Sequence, residues 1–125
     1  MKLQHLNLCV TDITESQNFF ENLFGFKTLA RRGEATAVLN DDHGFTLVLS
    51  NPKAFGNEPP EYPKDFHVGF FVETPDEVDQ MYRRLQEVAG IEIDSEPRNM
   101  RGGYTIYFRA LDGILFEITY LDKAS

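Results

Sequence analysis

The sequence predicts an α+β fold in which two tandem βαβββ modules form a curved mixed sheet around a cup-like pocket, with the helices on the outer face. Three observations predict it. The signals strand, helix, strand, strand, strand occur twice in the same order; two pairs of segments overlay without gaps; and each strand divides its side chains between an apolar face and a mixed one. At 125 residues the chain has the size of one domain, with module one over about 1–50, a linker over about 51–64 and module two over about 65–125.

The first strand signal runs from Leu3 to Val10. Thr11 or Asp12 stands where a helix cap is needed, the apolar residues Phe19, Phe20, Leu23 and Phe24 recur at helical spacing, and Gly25 supplies the stop. Strand signals follow at about Phe26 to Arg32, Ala35 to Asn40 and Phe45 to Ser50, with turn-forming residues from Asn40 to Gly44 between the last two. From Asn51 to Lys64, the residues Pro52, Gly56, Pro59, Pro60 and Pro63 argue against regular structure, so this stretch reads as a linker. The order then restarts. Phe66 to Val72 is a strand, and Pro75 to Ala89 is a helix with Thr74 as its cap, Pro75 in its first position and Gly90 as its stop. Strands at about Ile91 to Glu96, Tyr104 to Arg109 and Ile114 to Leu121 complete the chain, with Pro97 to Gly103 as a loop.

The segment His5-Leu6-Asn7-Leu8-Cys9-Val10 overlays His67-Val68-Gly69-Phe70-Phe71-Val72, and the segment from Gly44 to Ser50 overlays that from Gly113 to Thr119. Chance likeness between generic amphipathic strands does not account for the matching helix, stop glycine and strand order, so an internal duplication is the better reading. Because strand side chains alternate, Leu6, Leu8 and Val10 share one face while His5, Asn7 and Cys9 share the other. Val68 and Phe70 likewise oppose His67, Gly69 and Phe71, and Phe116 and Ile118 oppose Leu115, Glu117 and Thr119. The apolar face suits packing against helices. The mixed face holds both strand histidines and an acid, and Phe71 and Leu115 on it favour a partly enclosed pocket over plain solvent-exposed sheet.

Composition removes several classes of function. Hydrophobic residues make up 42% and charged residues 26%, the balance of a globular chain rather than a disordered one. A net charge of −8, with no basic run, repels phosphate backbones, so neither nucleic acid nor an acidic membrane is an expected partner. No apolar stretch approaches a membrane span, and the first residues lack the apolar core of a signal peptide. The single cysteine, Cys9, forms no internal disulfide and suits a reducing compartment, so a cytoplasmic location is expected.

Taken singly, a strand histidine or glutamate is weak grounds for a site. His5 and His67, however, occupy equivalent positions in the two modules, and Glu117 lies on the final strand with its side chain on the same face. Two imidazoles and a carboxylate suit one divalent metal ion (Fe, Mn, Zn, Ni or Co) with positions left open for water or substrate.

Nearly the whole chain resembles the vicinal oxygen chelate superfamily, the glyoxalase I, bleomycin-resistance and extradiol dioxygenase proteins. The resemblance rests on the opening from His5 to Asp12, on Phe19-Phe20 leading to Leu23-Phe24-Gly25-Phe26, on His67-Val68-Gly69-Phe70, and on the closing run from Leu111 to Ile118. It implies metal ligands at His5, His67 and Glu117, with Val48 at the fourth position, where metal-dependent glyoxalase I carries a carboxylate. Valine neither binds a metal nor moves a proton, which counts against glyoxalase I chemistry. Tyr107 stands where three-ligand members use a tyrosine to hydrogen-bond the metal-bound substrate, although a packing tyrosine is the other reading. Asn7 and Ser50 are candidate polar pocket groups. Arg101, with Arg98, could meet an anionic substrate at the rim or simply be solvated. His43 lies in a turn that strand parity cannot place, and a small buried residue is the default role of Cys9.

Two functions compete. One is a metalloenzyme acting on a small substrate chelated through vicinal oxygens, by dioxygenase-like or by Lewis-acid lyase, isomerase or transferase chemistry. Within it, fosfomycin modification is disfavoured, because the arginine-glycine segment replaces a lysine-containing phosphonate loop and the chain ends before that group's C-terminal arginine. Extradiol cleavage also has gaps, since those enzymes usually carry an extra histidine base and often a second domain. The alternative is a metal-free small-molecule binding protein of the bleomycin-resistance type, which has little reason to keep all three ligands. The family also implies a homodimer.

Overall fold

Asp12 turns the chain from strand into helix: its side chain accepts the Glu15 amide at 2.9 Å, which satisfies one of the unpaired donors at a helix start. Further along, Gly25, with φ +70°, ends the same helix in the left-handed region that a side chain would resist. A computed structural model describes residues 1–122 of the chain, which divides into two compact units, Met1–Glu61 and the remainder from Tyr62. Both units are mixed α+β.

The first unit contains strand β1 (His5–Cys9), helix α1 (Ile13–Phe24) and strands β2 (Lys27–Arg32), β3 (Thr36–Asn40) and β4 (Thr46–Ser50), in the sheet order β1-β4-β3-β2. The β1–β4 pairing is parallel, which requires a crossover, and α1 provides it. The register matches Asn7 with Val48 and Leu8 with Leu49, so Leu8, Leu47 and Leu49 are buried on one face. From α1, Ile13, Phe19, Phe20 and Leu23 are buried as well, and the Phe19 and Phe20 rings meet edge to face at 5.1 Å. Each such side chain contributes about 1.5–3 kcal/mol by burial. Leu29 sits where the β2–β3 register shifts and is 62% exposed, so strand alternation is broken there.

The segment beyond β4 is more regular than the linker expected from its prolines. Pro52–Phe55 forms a 3-10 turn, capped by Asn51, whose side chain accepts the Lys53 amide at 3.1 Å. Asn followed by Pro is itself a helix-start signal, here masked by the later prolines.

The second unit contains strand β5 (His67–Phe71), helix α2 (Pro75–Leu85) and strands β6 (Glu92–Ile93), β7 (Arg98–Met100), β8 (Gly103–Ala110) and β9 (Ile114–Leu121). The sheet order is β5-β9-β8-β6, and β7 also pairs with β8. Again the first and last strands run parallel, His67 opposite Leu115 and Gly69 opposite Glu117. Thr74 and Glu77 form a reciprocal capping box at the start of α2.

Three sequence expectations need correction here. The helix ends at Leu85 rather than Ala89, because Val88 is 37% exposed and has no core to pack against, and the chain tightens into Glu87 N–H to Arg84 O and Val88 N–H to Leu85 O bonds. The strand expected over Ile91 to Glu96 shrinks to two residues, followed by an Asp94 N–H bond to Tyr107 O. The expected loop from Pro97 to Gly103 contains β7, which turns into β8 through Arg101 and Gly102.

Gly103 is the tightest point of this sheet. A Cβ there would stand 2.5 Å from Thr119 Oγ1 and 3.0 Å from Tyr120 O. Gly103→Ala is therefore expected to destabilise the protein by about 1–3 kcal/mol, read as a lower denaturation midpoint at unchanged m value.

Candidate metal and substrate site

Strand pairing in the second unit brings three of the predicted site residues onto one face. Glu117 on β9 lies opposite Gly69 on β5 and opposite Tyr107 on β8, with His67 one pleat away on the same face. The His67 Nε2 atom stands 3.3 Å from Glu117 Oε2. Its other ring nitrogen, Nδ1, lies 2.9 Å from the carbonyl oxygen of Asp65. A carbonyl can only accept, so Nδ1 carries a proton, and a neutral His67 presents the Nε2 lone pair toward the carboxylate. Two acceptors at that distance repel unless a cation lies between them. A proton can fill that role, and so can a divalent metal ion, for which imidazole and carboxylate are suitable donors. The residues present thus fit a metal.

Around this pair, Gly69 keeps the face of the carboxylate clear, since a Cβ there would reach to 3.7 Å from Glu117 Oε2. Tyr107 meets the His67 ring edge to face at 6.2 Å, and the Glu117 carboxylate and the Arg101 guanidinium both act on its phenol. Burial and the Glu117 carboxylate push the Tyr107 phenol above its ordinary range, while the Arg101 guanidinium partly opposes them. Tyr107 therefore remains a hydrogen-bond donor at neutral pH.

A cavity of about 730 Å³ opens beside these residues, within the range of small-molecule sites. His67, Tyr107 and Leu115 form part of its wall; Lys64, Arg98, Arg101 and Arg109 bring positive charge, and Asp65, Glu92 and Asp94 bring negative. Arg98 and Arg101 thus line a cavity. Phe71, 76% exposed, is not part of this wall.

The remaining candidates lie in the first unit. His5 is exposed at the start of β1, opposite Thr46. Asn7 Oδ1 accepts the Ser50 hydroxyl at 2.8 Å, and Val48, half-buried, lies opposite Asn7 on the same face. His43 is exposed in a turn organised by Asp41, whose Oδ1 accepts the His43 and Phe45 amides at 2.8 Å. Among the described residues, no three or more His, Cys, Asp or Glu side chains cluster closely enough to hold an ion, so the second unit contributes a pair of donors.

The family model described as Glyoxalase/Bleomycin resistance protein/Dioxygenase superfamily matches residues 2–118. The chain belongs to this superfamily. It is 34% identical over 115 residues to Metallothiol transferase FosB of Lysinibacillus sphaericus, covering 92% of this chain and 79% of that protein. Fosfomycin resistance protein FosX of Listeria monocytogenes is 26% identical over 117 residues, covering 93% of this chain and 86% of that one. Among solved structures, a "possible glyoxalase" from Bacillus cereus superposes with a TM-score of 0.82 at 36% identity, covering 95% of this chain and 98% of that one.

Within this superfamily member, sequence reasoning missed the Asp65 carbonyl and Arg109. Arg109 was accessible by strand parity, two residues beyond Tyr107; a backbone carbonyl leaves no signature in a sequence. The phenol offers a direct check of the geometry. Glu117→Gln is expected to lower the Tyr107 pKa by removing a negative neighbour, and Arg101→Met to raise it further by removing a positive one, both read by ultraviolet titration of phenolate against a Tyr107→Phe control.

Proposed function

We propose that the protein is a divalent-metal-dependent enzyme acting on a small, anionic substrate chelated through neighbouring oxygens, by Lewis-acid transfer, lyase or isomerase chemistry. The observation that carries the reading is the His67–Glu117 pair, with Nδ1 tied to Asp65 and Nε2 directed at the carboxylate. His67 and Glu117 would hold the ion, and His5 is the proposed third ligand because it holds in β1 the register position that His67 holds in β5. A bound divalent ion supplies Lewis acidity, stabilising negative charge on a substrate oxygen.

The chain's own groups divide the remaining work. Tyr107, kept protonated, donates a hydrogen bond to an oxygen that gains charge. Arg101 offers a guanidinium to an anionic group at the cavity wall. Asn7, Val48 and Ser50 are proposed as substrate-contacting residues on the β1–β4 face, and Val48 leaves that face without a carboxylate base of the glyoxalase I kind. Transfer chemistry draws support from the likeness to a metallothiol transferase and to fosfomycin resistance proteins, so an epoxide phosphonate with a thiol is the first substrate to try. That likeness weighs against the reading of the arginine-glycine segment as unsuited to such a substrate. One domain of two modules, a homodimer and a cytoplasmic location belong to the same proposed reading. Among the described residues no helix is long and apolar enough to cross a membrane.

Thermal shift with Mn²⁺, Zn²⁺, Fe²⁺, Ni²⁺ and Co²⁺ tests the metal. At about one hundred times the dissociation constant, a native-state ligand stabilises by about 2.7 kcal/mol. His67→Ala and Glu117→Gln are expected to abolish the shift, and a parent protein indifferent to every ion would sink the proposal. Tyr107→Phe is expected to reduce kcat about 100-fold while leaving the metal shift intact. Ring opening of fosfomycin by a thiol, set against ring cleavage of catechols, distinguishes transfer from dioxygenation.

A further inference from the structure

Arg109 reaches two backbone carbonyls from the cavity wall: Nη1 donates to Gly113 O at 3.0 Å and Nη2 to Lys64 O at 3.4 Å. The second bond falls in the short turn that leads into β5. There, three consecutive carbonyls each have a different partner. Pro63 O accepts the Phe66 amide at 3.1 Å, Lys64 O accepts Arg109, and Asp65 O accepts His67 Nδ1. An exposed turn of this kind has no ladder to hold its peptide planes, so each plane is set by its own acceptor bond. The Lys64 and Asp65 planes are adjacent in the chain, and a rotation at one displaces the other.

We infer that Arg109 is a positioning residue for His67, fixing the turn so that the Asp65 carbonyl holds Nδ1–H and leaves the Nε2 lone pair facing Glu117. Glu92 lies opposite Arg109 across β6–β8, and the Gly113 bond ties the guanidinium to the β8–β9 turn, so the group is anchored from the sheet and acts outward on the turn. It acts through His67 and needs no contact with substrate. The role in metal binding rests on the proposed function above; the role in setting the imidazole tautomer does not.

The experiment compares the parent, Arg109→Met and Arg109→Lys. Nitrogen-15 NMR of the neutral His67 ring in metal-free protein is expected to show the Nδ1–H tautomer in the parent and a mixture with Nε2–H in Arg109→Met. Divalent-metal affinity is expected to fall about tenfold in Arg109→Met. Arg109→Lys, which keeps the charge and can reach one carbonyl, is expected to recover most of both signals and serves as the deciding variant if Arg109→Met folds poorly. A parent lacking the Nδ1–H tautomer, or an Arg109→Met protein with the parental tautomer, overturns the inference. A parent that binds no metal overturns the metalloenzyme reading instead, and the tautomer measurement still judges Arg109.

Discussion

The parallel pairing of β5 with β9 is a packing requirement before it is a chemical one. Phe116 and Ile118 must face the helix, where they are fully buried, and alternation then forces Leu115 and Glu117 to the opposite face. Gly69 meets Glu117 and His67 meets Leu115 as a consequence of that register. A slip of one residue would bury the carboxylate and expose the phenylalanine. The core therefore specifies the position of the candidate ligands, and β8 adds Tyr107 opposite Glu117 by the same rule.

The two units share this logic but not its chemistry. In the first, β1 and β4 pair in the corresponding register, with His5 opposite Thr46 and Asn7 opposite Val48. Asn7 thus occupies the place of Gly69, and Val48 the place of Glu117. Both substitutions lie on the face that the core leaves free, where a side chain can change without disturbing packing. One backbone plan occurs twice, and the acid stands in one copy.

Much of this was legible from residue periodicity. The α1 boundaries followed from a cap at Thr11 or Asp12 and the stop at Gly25, the α2 start from Thr74 and Pro75, and β9 from its alternation, because in each case one local signal agreed with the burial pattern. The end of α2 was not legible: Gly90 has the φ of +81° that a stop glycine adopts, yet the helix had already lost its buried face after Leu85. β7 was hidden because its pairing with β8 depends on a turn rather than on apolar alternation. At the site, His67 and Glu117 could be aligned by parity and Tyr107 followed from the family resemblance, whereas the orientation of the His67 ring depends on the Asp65 carbonyl, a group every residue possesses.

The β7–β8 turn sets two demands against each other. Met100 pairs with Gly103, and both residues between them have positive φ, +51° at Arg101 and +78° at Gly102, the sign pattern of a type I′ hairpin. Asparagine or glycine accepts that conformation readily, whereas an arginine in it forgoes about 1–2 kcal/mol. The guanidinium that acts on the Tyr107 phenol is thus mounted on a backbone that would be sturdier with a different residue. A search for heat-resistant variants would be drawn to position 101 and would select away the charge beside the phenol. Heat tolerance and the proposed activity would then diverge at a single codon.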